Sequence, residues 1–531
     1  MANAIKKLAG ETAIYGLSTI LARMINFLIV PLYTRVLSTE SYGAYAEIMS
    51  YIAVLQVVLV FGLETGCFKF ANNIRNNIKT SGDFDASDSD VSDSNCNKSR
   101  KSTNLNPESP FSTALGTVLS TSGIFFLLML VFAGPLSNAM GYGLYPKMVV
   151  YAGGILALDS ITAILFARLR YQQKALKFAI FKTIKIVSEL GFNLLLFLTL
   201  PSFLAANPDS WITGFIPAEP NFVYIIFAVL MSCIICTILF IPDLLKVKIT
   251  INSKLLKQML LYSLPLMVAG LPGILNDSLD RILFRFFAPE GAIWRSDLGV
   301  YQAAVRLAVI MNLFVQMFRY AAEPFFFARE KEKGSKEMYA KVMEYFVAFC
   351  MLIFLGVLLY MDIIGLLLGK DFRGALDTIP LMLISYMLLG ILFNVSMWYK
   401  LSGQTRYAIN ITLSGLAVTA LINITLMPHF SYWASVWAHV LSGLAMLLYS
   451  LWLGNKYYPI PYKWKTICSY IYVGIMIFLI ISFANNMLEA KTTLPDGWLL
   501  AIRLIDGTIG IFIYLAYVVS KNRSLIRMFN R

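Results

Sequence analysis

The stretch between Phe222 and Ile241 reads FVYIIFAVLMSCIICTILFI and carries no charged residue. A helix of about 20 apolar residues crosses the hydrocarbon core of a bilayer and satisfies its own backbone hydrogen bonds there. This stretch therefore predicts a membrane-spanning helix. Similar stretches recur along the chain and bring the total to fourteen, at approximately 12–36, 42–66, 111–134, 148–168, 178–200, 222–241, 256–286, 298–325, 339–367, 376–399, 405–427, 432–454, 465–486 and 497–520. We number them spans 1–14.

The composition agrees with a protein that crosses a membrane many times. Of 531 residues, 58% are hydrophobic and only 14% are charged, whereas soluble proteins carry roughly 25% charged residues. Six cysteines are too few for a disulfide scaffold of this length. The first apolar stretch has no short hydrophobic core and no cleavage site, which favours a membrane span over a signal peptide. We predict an all-α polytopic membrane protein with about 14 transmembrane helices.

The distribution of Lys and Arg predicts the orientation in the membrane. With the N-terminus inside, the cytoplasmic segments hold about 30 of the 44 basic residues. The opposite loops hold about five of them: Lys147, Arg295, Lys370, Arg373 and Lys491. Because basic loops stay cytoplasmic, both termini are expected in the cytoplasm. Most of the net charge of +14 then sets the orientation, and it indicates no nucleic-acid partner.

One long loop interrupts this pattern on the cytoplasmic side. Residues 72–110 include five aspartates between Asp83 and Asp93, set among Ser, Gly and Asn. The spacing resembles a calcium-binding loop, but the required Gly and terminal Glu are missing. We therefore predict a disordered cytoplasmic insert at about 72–110 rather than a metal site.

An internal repeat predicts how the spans are grouped. Tyr42-Gly43-Ala44-Tyr45 opens span 2, and the similar Leu298-Gly299-Val300-Tyr301 opens span 8. A second similarity leads to Asn193 in span 5 and to Asn423 in span 11. Both pairs are six spans apart, as in transporters built from duplicated halves. We expect two pseudo-symmetric six-helix lobes, residues 1–241 and 242–454, followed by two additional helices in 455–531.

Basic residues at membrane depth are candidate substrate ligands, because a charge in hydrocarbon is costly and faces an interior or aqueous cavity. Two of them have an acid four residues away on the same helix, as in Lys185–Glu189 and Asp277–Arg281. These can be structural ion pairs. Others have no such neighbour and need a partner across the cavity or an anionic ligand. The predicted cationic cavity comprises Arg23, Lys185, Arg281 and Arg306.

Acids and prolines within the spans suggest coupling and gating roles. Glu47, Asp159 and Asp280 are candidates for ion coupling. Pro265 and Pro272 lie in span 7, where missing backbone donors favour a broken helix. Because broken helices in transporters accompany binding or gating, we interpret these prolines as a gating kink, with a static kink as the alternative.

The sequence lacks the motifs of an enzyme. Its two histidines, His429 and His439, flank a short predicted external turn and the start of span 12, and no phosphate-binding loop or zinc-protease motif occurs. Cys233 and Cys236 have redox spacing, but they lie in the middle of span 6, where helix packing explains them better. We predict a protein that is not an enzyme and has no cofactor and no metal site.

The stretch from Arg23 to Tyr45, RMINFLIVPLYTRVLSTESYGAY, resembles the opening of the polysaccharide transporter family. These are the Wzx-type oligosaccharide, or O-antigen, flippases of the MOP exporter superfamily. Asp280-Arg281, Gly299-Val300-Tyr301 and the segment from Asn423 to Pro428 agree more loosely. The Asp-rich insert departs from the family, and so does the sequence after Pro428, where a Gly-rich turn is expected.

The resemblance implies that the chain flips a lipid-linked oligosaccharide from the cytoplasmic to the outer leaflet of the inner membrane. The sugars would be carried on a polyprenyl diphosphate, for synthesis of cell-surface polysaccharide such as lipopolysaccharide. Rocking of the two lobes would give alternating access. The implied partners are this substrate, membrane lipids, H⁺ or Na⁺ as coupling ion, and polysaccharide-assembly proteins.

Two other functions remain open at this stage. A multidrug or small-solute exporter of the same superfamily would need an acidic cavity for cations. A polysaccharide polymerase or glycosyltransferase would have a large external loop, whereas the longest predicted here, residues 201–221, has only about 20 residues.

Overall fold

The computed structural model describes residues 24–25, 27–84, 106–330, 332–491 and 495–521. Regular structure in these ranges is helical throughout, and thirteen helices are long and apolar enough to cross a membrane. The predicted all-α polytopic fold is thereby confirmed. Spans 2–14 each have a helical counterpart. Most of span 1 lies outside the described residues, which include its last helical turns at Val30–Val36.

The described residues form two compact units, and unit 1 comprises residues 47–278. Buried side chains such as Leu63, Phe111, Leu165 and Phe240 pack its spans together. Large apolar side chains on other faces, such as Leu127 and Val131, are 61% and 70% exposed, which suits contact with lipid tails. The helices of unit 1 are the later part of Thr39–Val60, then Leu63–Phe84, Ser109–Val131, Ala133–Ala139, Pro146–Tyr171, Ala175–Leu194, Leu200–Ala206, Phe222–Leu244 and the greater part of Ser253–Phe287.

Unit 2 comprises residues 24–46 together with 279–521. Trp398, Ile411, Met446 and Leu453 form one of its buried clusters, between spans 10, 11 and 12. Its helices are Val30–Val36, the start of Thr39–Val60, the end of Ser253–Phe287, and then Trp294–Ala328, Ser335–Leu358, Met361–Ile364, Ile379–Val395, Met397–Leu401, Tyr407–Phe430, Tyr432–Tyr457, Trp464–Lys491 and Asp496–Lys521. The lobe boundaries given above remain a prediction.

A break occurs in span 2 and not in span 7. The helix Ser253–Phe287 is continuous through Pro265 and Pro272, so the predicted break in span 7 is wrong. Each proline removes one donor, and the surrounding turns keep the helix intact. In span 2, by contrast, Phe61 and Gly62 have φ of 53° and 64° and separate two helices. A Cβ on Gly62 would lie 2.8 Å from the Ser263 carbonyl oxygen, so this left-handed turn needs glycine for conformation and for space.

Part of the predicted disordered insert is helical. Residues 72–84 continue the helix Leu63–Phe84, and span 3 begins at Ser109. Asn72, Asn73 and Asn76 are exposed in this extension, as expected for the polar face of an amphipathic helix. Residues 85–105, which hold most of the aspartates, lie outside the described residues.

The second repeat similarity corresponds to matching local structure. Asn193 in span 5 and Asn423 in span 11 are both fully buried. Each side-chain amide donates to the carbonyl oxygen four residues earlier, Glu189 and Thr419 respectively, and both distances are 2.8 Å. The two positions six spans apart therefore make the same intrahelical contact, and the duplication stays a prediction.

Candidate functional site

Unit 1 contains an ion pair between two candidate residues from spans 4 and 5. Lys185 Nζ donates to Asp159 Oδ1 at 2.5 Å, and the side chains are 17% and 29% exposed. The Cys233 thiol of span 6 donates to the same oxygen at 3.3 Å. A lysine ammonium at membrane depth is stabilised by such a carboxylate. The structure thus joins a candidate substrate ligand to a candidate coupling acid.

A second candidate coupling acid, Glu47 of span 2, is also held in unit 1. Glu47 is fully buried, and the Tyr142 hydroxyl donates to its Oε2 at 2.5 Å. Tyr142 lies just after the short helix Ala133–Ala139, in the loop that leads to span 4. A loop residue therefore fixes the carboxyl group of a membrane span, a contact that sequence periodicity does not reveal.

Unit 2 places Asp280 of span 7 at the centre of a buried hydrogen-bonded cluster. Its Oδ2 accepts from the Tyr301 hydroxyl at 2.8 Å and lies 3.1 Å from His439 Nε2. Asp280 is fully buried, and its Oδ1 has no hydrogen-bond partner among the described residues. A buried carboxylate oxygen without a donor is costly. Tyr301 and His439 thus hold the Asp280 carboxylate through only one of its two oxygens.

Two of the predicted cations lie close together in unit 2. Arg306 of span 8 donates a hydrogen bond to the hydroxyl of Tyr42, a residue that is 1% exposed. The same guanidinium interacts electrostatically with Arg281, Tyr45 and Tyr386. Two like charges at membrane depth repel each other, and an anion between or beside them lowers that cost.

The two halves of the first repeat motif meet within unit 2. Gly43 in span 2 and Gly299 in span 8 lie at a helix crossing so close that a Cβ on either would collide with backbone. The collision partners are the carbonyl oxygens of Arg295 and Thr39, each four residues before the opposite glycine. The Thr39 and Ser296 hydroxyls hydrogen-bond alongside at 2.8 Å. This crossing lies at the ends of both spans that the basic-residue distribution predicts to be external.

A neighbouring contact extends the same region of unit 2. The Thr34 hydroxyl accepts from the Gly369 backbone N–H at 3.1 Å, and Arg35 donates to the Leu366 carbonyl oxygen at 3.2 Å. The last turns of span 1 are thus fixed to the segment between spans 9 and 10. Together with the glycine crossing, this forms what we call the external contact, comprising Thr34, Arg35, Thr39, Gly43, Ser296, Gly299, Leu366 and Gly369.

The predicted site residues divide between the units. Lys185, Asp159 and Glu47 lie in unit 1, and Arg281, Arg306 and Asp280 lie in unit 2. Arg23 lies outside the described residues, so its position stays a prediction. In the described ranges, no three His, Cys, Asp or Glu side chains are grouped to hold a metal ion. Cys233 and Cys236 are buried free thiols.

Sequence reasoning missed three residues that complete these clusters. His439 was assigned to the start of span 12 near an external turn, whereas it lies within the helix Tyr432–Tyr457 and contacts Asp280. Tyr301 was noted only as part of a repeat, and Tyr142 was not considered. The sequence contains one signal for the partner of Asp280. A buried aspartate needs hydrogen-bond donors, and His439 is one of only two histidines in the chain.

Comparison with known proteins agrees with the resemblance predicted from the sequence. Residues 8–83 match the family model described as "Polysaccharide biosynthesis protein". Over the whole chain, the structure is similar to the lipid II flippase MurJ in an inward closed conformation. The TM-score is 0.64 at 13% identity, covering 96% of this chain and 99% of that one.

A multidrug resistance MATE family transporter of the MOP superfamily, in an inward-facing conformation, is also similar. Its TM-score is 0.51 at 15% identity, covering 83% of this chain and 93% of that one. No curated protein matches the sequence. The two structural matches show that the chain shares the fold of MurJ and of this MATE transporter.

Proposed function

We propose that this chain, a multi-pass membrane protein with the fold shared by MurJ and the MATE transporters, flips a lipid-linked oligosaccharide by alternating access. The observation that carries the proposal is the pair of arginines in unit 2, Arg281 and Arg306, which interact at membrane depth. A polyprenyl diphosphate would bring further negative charge beside these two guanidinium groups. The match of residues 8–83 to a polysaccharide-biosynthesis model supports sugars as the cargo.

The proposed substrate ligands are Arg23, Lys185, Arg281 and Arg306. Arg306 would hold the diphosphate and exchange its hydrogen bond with Tyr42 for one with phosphate oxygen. Lys185 is already paired with Asp159, so it would become available only when Asp159 is neutralised. The prenyl chain would remain in lipid, where a single long hydrocarbon chain is stable.

The proposed coupling groups are Asp280, Asp159 and Glu47. Asp280 is the best supported of them, because its Oδ1 has no donor in the described part of the chain while Oδ2 is held by Tyr301 and His439. Binding of H⁺ or Na⁺ at this oxygen would remove the charge of the cluster. An ion gradient could then bias the conformational equilibrium by the difference in ion affinity between the two states.

The proposed motion separates and rejoins the external contact. The glycine crossing of Gly43 and Gly299 admits no side chain, so this contact is a closed one. Its opening would expose the substrate path to the outer leaflet, with the lobes 1–241 and 242–454 as the moving bodies. The left-handed turn at Phe61 and Gly62 supplies a flexible joint in span 2. Pro265 and Pro272 would bend span 7 without breaking it.

We propose the inner membrane as the location, with both termini in the cytoplasm and with polysaccharide-assembly proteins as neighbours. Synthesis of cell-surface polysaccharide, including lipopolysaccharide O-antigen, is the proposed pathway class. A drug-exporting relative shares the fold, but the interacting arginines of unit 2 disfavour cationic drugs. No catalytic constellation is needed for the flipping step.

Complementation of a flippase-deficient strain tests the proposal. Arg306→Ala is expected to reduce surface polysaccharide at least tenfold at normal protein abundance. Arg406→Ala removes an exposed arginine at the start of span 11 and serves as the matched control, with expected full activity. Full complementation by Arg306→Ala would contradict the assigned role, and resistance to cationic drugs without polysaccharide export would favour the exporter.

A further inference from the structure

A small pocket lies in unit 2 and shares no residue with the charged clusters above. Its volume is about 210 Å³, and it lies where spans 9, 10, 13 and 14 end or begin. The basic-residue distribution predicts this end of the four spans to be external. The volume exceeds that of a cavity of about 150 Å³, which holds a benzene ring. One six-membered ring with its substituents is therefore the size of ligand that the pocket admits.

The inner wall of the pocket is apolar. Leu358, Leu359, Phe478 and Ile481 line it, and Leu358 and Leu359 are 7% and 8% exposed. Phe478 is held by an edge contact with Phe354, with ring centroids 6.0 Å apart. A wall of this kind packs against the C–H face of a ring-shaped ligand. The edge contact with Phe354 gives the Phe478 side chain a defined orientation in that wall.

Polar groups from span 13 face the same space. Ser482, Asn485 and Asn486 follow one another at the spacing of one helical face. Asn485 Oδ1 is buried and has no hydrogen-bond partner among the described residues. A buried amide oxygen without a donor is costly unless a ligand or water supplies one. The pocket therefore offers an acceptor to a ligand that carries hydroxyl or amide donors.

The charges around the pocket exclude an anion. Arg503 also lines it, but its guanidinium already bonds Asp362 at 3.2 Å and Glu489 at 2.5 Å. Asp377 adds a further carboxylate to the lining. The local net charge is thus negative, which repels phosphate, sulfate and uronic acids. Arg503 also shields Asp362 from a metal cation. Anions and metal cations are thereby disfavoured, and a neutral ligand with hydrogen-bond donors fits the lining.

We propose that this pocket binds one neutral sugar ring, a hexose or an N-acetylhexosamine, on the side of the membrane to which the oligosaccharide is delivered. The apolar wall takes the C–H face of the ring, and the amides and hydroxyl of span 13 take its hydroxyl groups. The choice of a sugar among neutral polyols rests on the proposed function. The site would hold an emerging sugar chain and disfavour its return.

Saturation-transfer NMR on the full chain in glycolipid-free nanodiscs tests this site. The probes are glucose, galactose, N-acetylglucosamine, inositol and inorganic phosphate. A single ring is expected to bind with a dissociation constant on the order of 1 mM. Asn485→Leu keeps the branched shape of the side chain but removes the amide acceptor and donor, and Ser482→Leu fills the pocket from the same helical face. Asn455→Leu is the matched control, because Asn455 is exposed after the end of span 12, a span that does not line the pocket.

We expect a saturable signal from a hexose or N-acetylhexosamine that falls at least fivefold in both pocket variants and persists in Asn455→Leu. Phosphate should give no signal. Equal sugar binding in wild type and both pocket variants would overturn the site, as would binding of phosphate or inositol alone. Absence of sugar binding by the wild type together with normal flipping refutes the site but not the function, whereas sugar binding by the wild type without any flipping refutes the function alone.

Discussion

The glycine crossing of the external contact makes a quantitative prediction for Gly299→Ala. A Cβ at position 299 would overlap the Thr39 carbonyl oxygen and would lie 2.9 Å from the Thr39 carbonyl carbon and 3.0 Å from the Gly43 nitrogen. Carbon atoms pack at about 3.5–4.0 Å, so the two helices must separate by at least roughly 1 Å. Overpacking of this size costs about 1–3 kcal/mol. With about 2 kcal/mol, the closed state loses a factor of about 30 against the open one.

The closed state can be measured through the two hydroxyls that bridge the crossing. The Thr39 and Ser296 oxygens are 2.8 Å apart, so a Thr39→Cys/Ser296→Cys pair should form a disulfide rapidly in membranes. Two other cysteines are replaced by Ser in this background: Cys468, which is exposed, and Cys96. Gly299→Ala should slow disulfide formation at least tenfold and reduce export.

Gly356→Ala is the matched control for this experiment. It lies in the helix Ser335–Leu358, and a Cβ there meets no atom within 4 Å. Cross-linking and export should therefore equal those of the parent. If Gly299→Ala cross-links as fast as the parent and exports normally, the close crossing has no role in closing the external side.

Three further predictions concern the buried charges and thiols. Asp280→Asn should reduce ion-driven flipping at least tenfold in vesicles with an imposed gradient. Asp371→Asn, at an exposed position, should leave the flipping rate unchanged. Equal flipping rates in wild type and Asp280→Asn would contradict a coupling role for Asp280. Lys185→Met alone leaves Asp159 unpaired and should lower the Tm by several degrees. Adding Asp159→Asn should restore part of the lost Tm, since a buried unpaired charge costs more stability than the removal of the whole pair. No recovery of Tm in the double variant would contradict the pairing. Cys233 and Cys236 should resist maleimide in the native protein while Cys468 reacts, because only Cys468 of the three is exposed. Fast maleimide labelling of Cys233, measured by mass spectrometry, would contradict its burial.

The spans could be predicted from the sequence because hydrocarbon imposes a length and an apolar composition on each helix independently. Partners across spans follow no such local rule. Asp280 was identified as a buried acid, but His439, its partner in span 12, could be found only in three dimensions. The periodicity of one helix says nothing about which face of another helix it meets.

The helix break was misplaced for a related reason. Pro265 and Pro272 are visible in the sequence, yet a proline's missing donor can be tolerated inside a continuous helix. The actual break depends on Phe61, a residue with φ of 53° that has no sequence signature apart from the following Gly62. Backbone strain of this kind is fixed by packing against span 7 and not by local preference.

The repeat, in contrast, was readable as sequence and acquires a physical meaning in the structure. Gly43 and Gly299 occupy equivalent positions in two loosely similar motifs, and the structure brings these two glycines against each other. The close approach of the two backbones explains why both positions are glycine, and the duplication itself stays a prediction.

Reconstitution in liposomes tests the central claim most directly. A fluorescent oligosaccharide on a polyprenyl diphosphate is placed in one leaflet, and its appearance in the other leaflet is followed with and without H⁺ and Na⁺ gradients. The account predicts transfer by the wild type, at least tenfold slower transfer by Arg306→Ala, and normal transfer by Arg406→Ala. No transfer of the lipid-linked sugar by the folded wild-type protein, with uptake of cationic drugs under the same gradients, would contradict it.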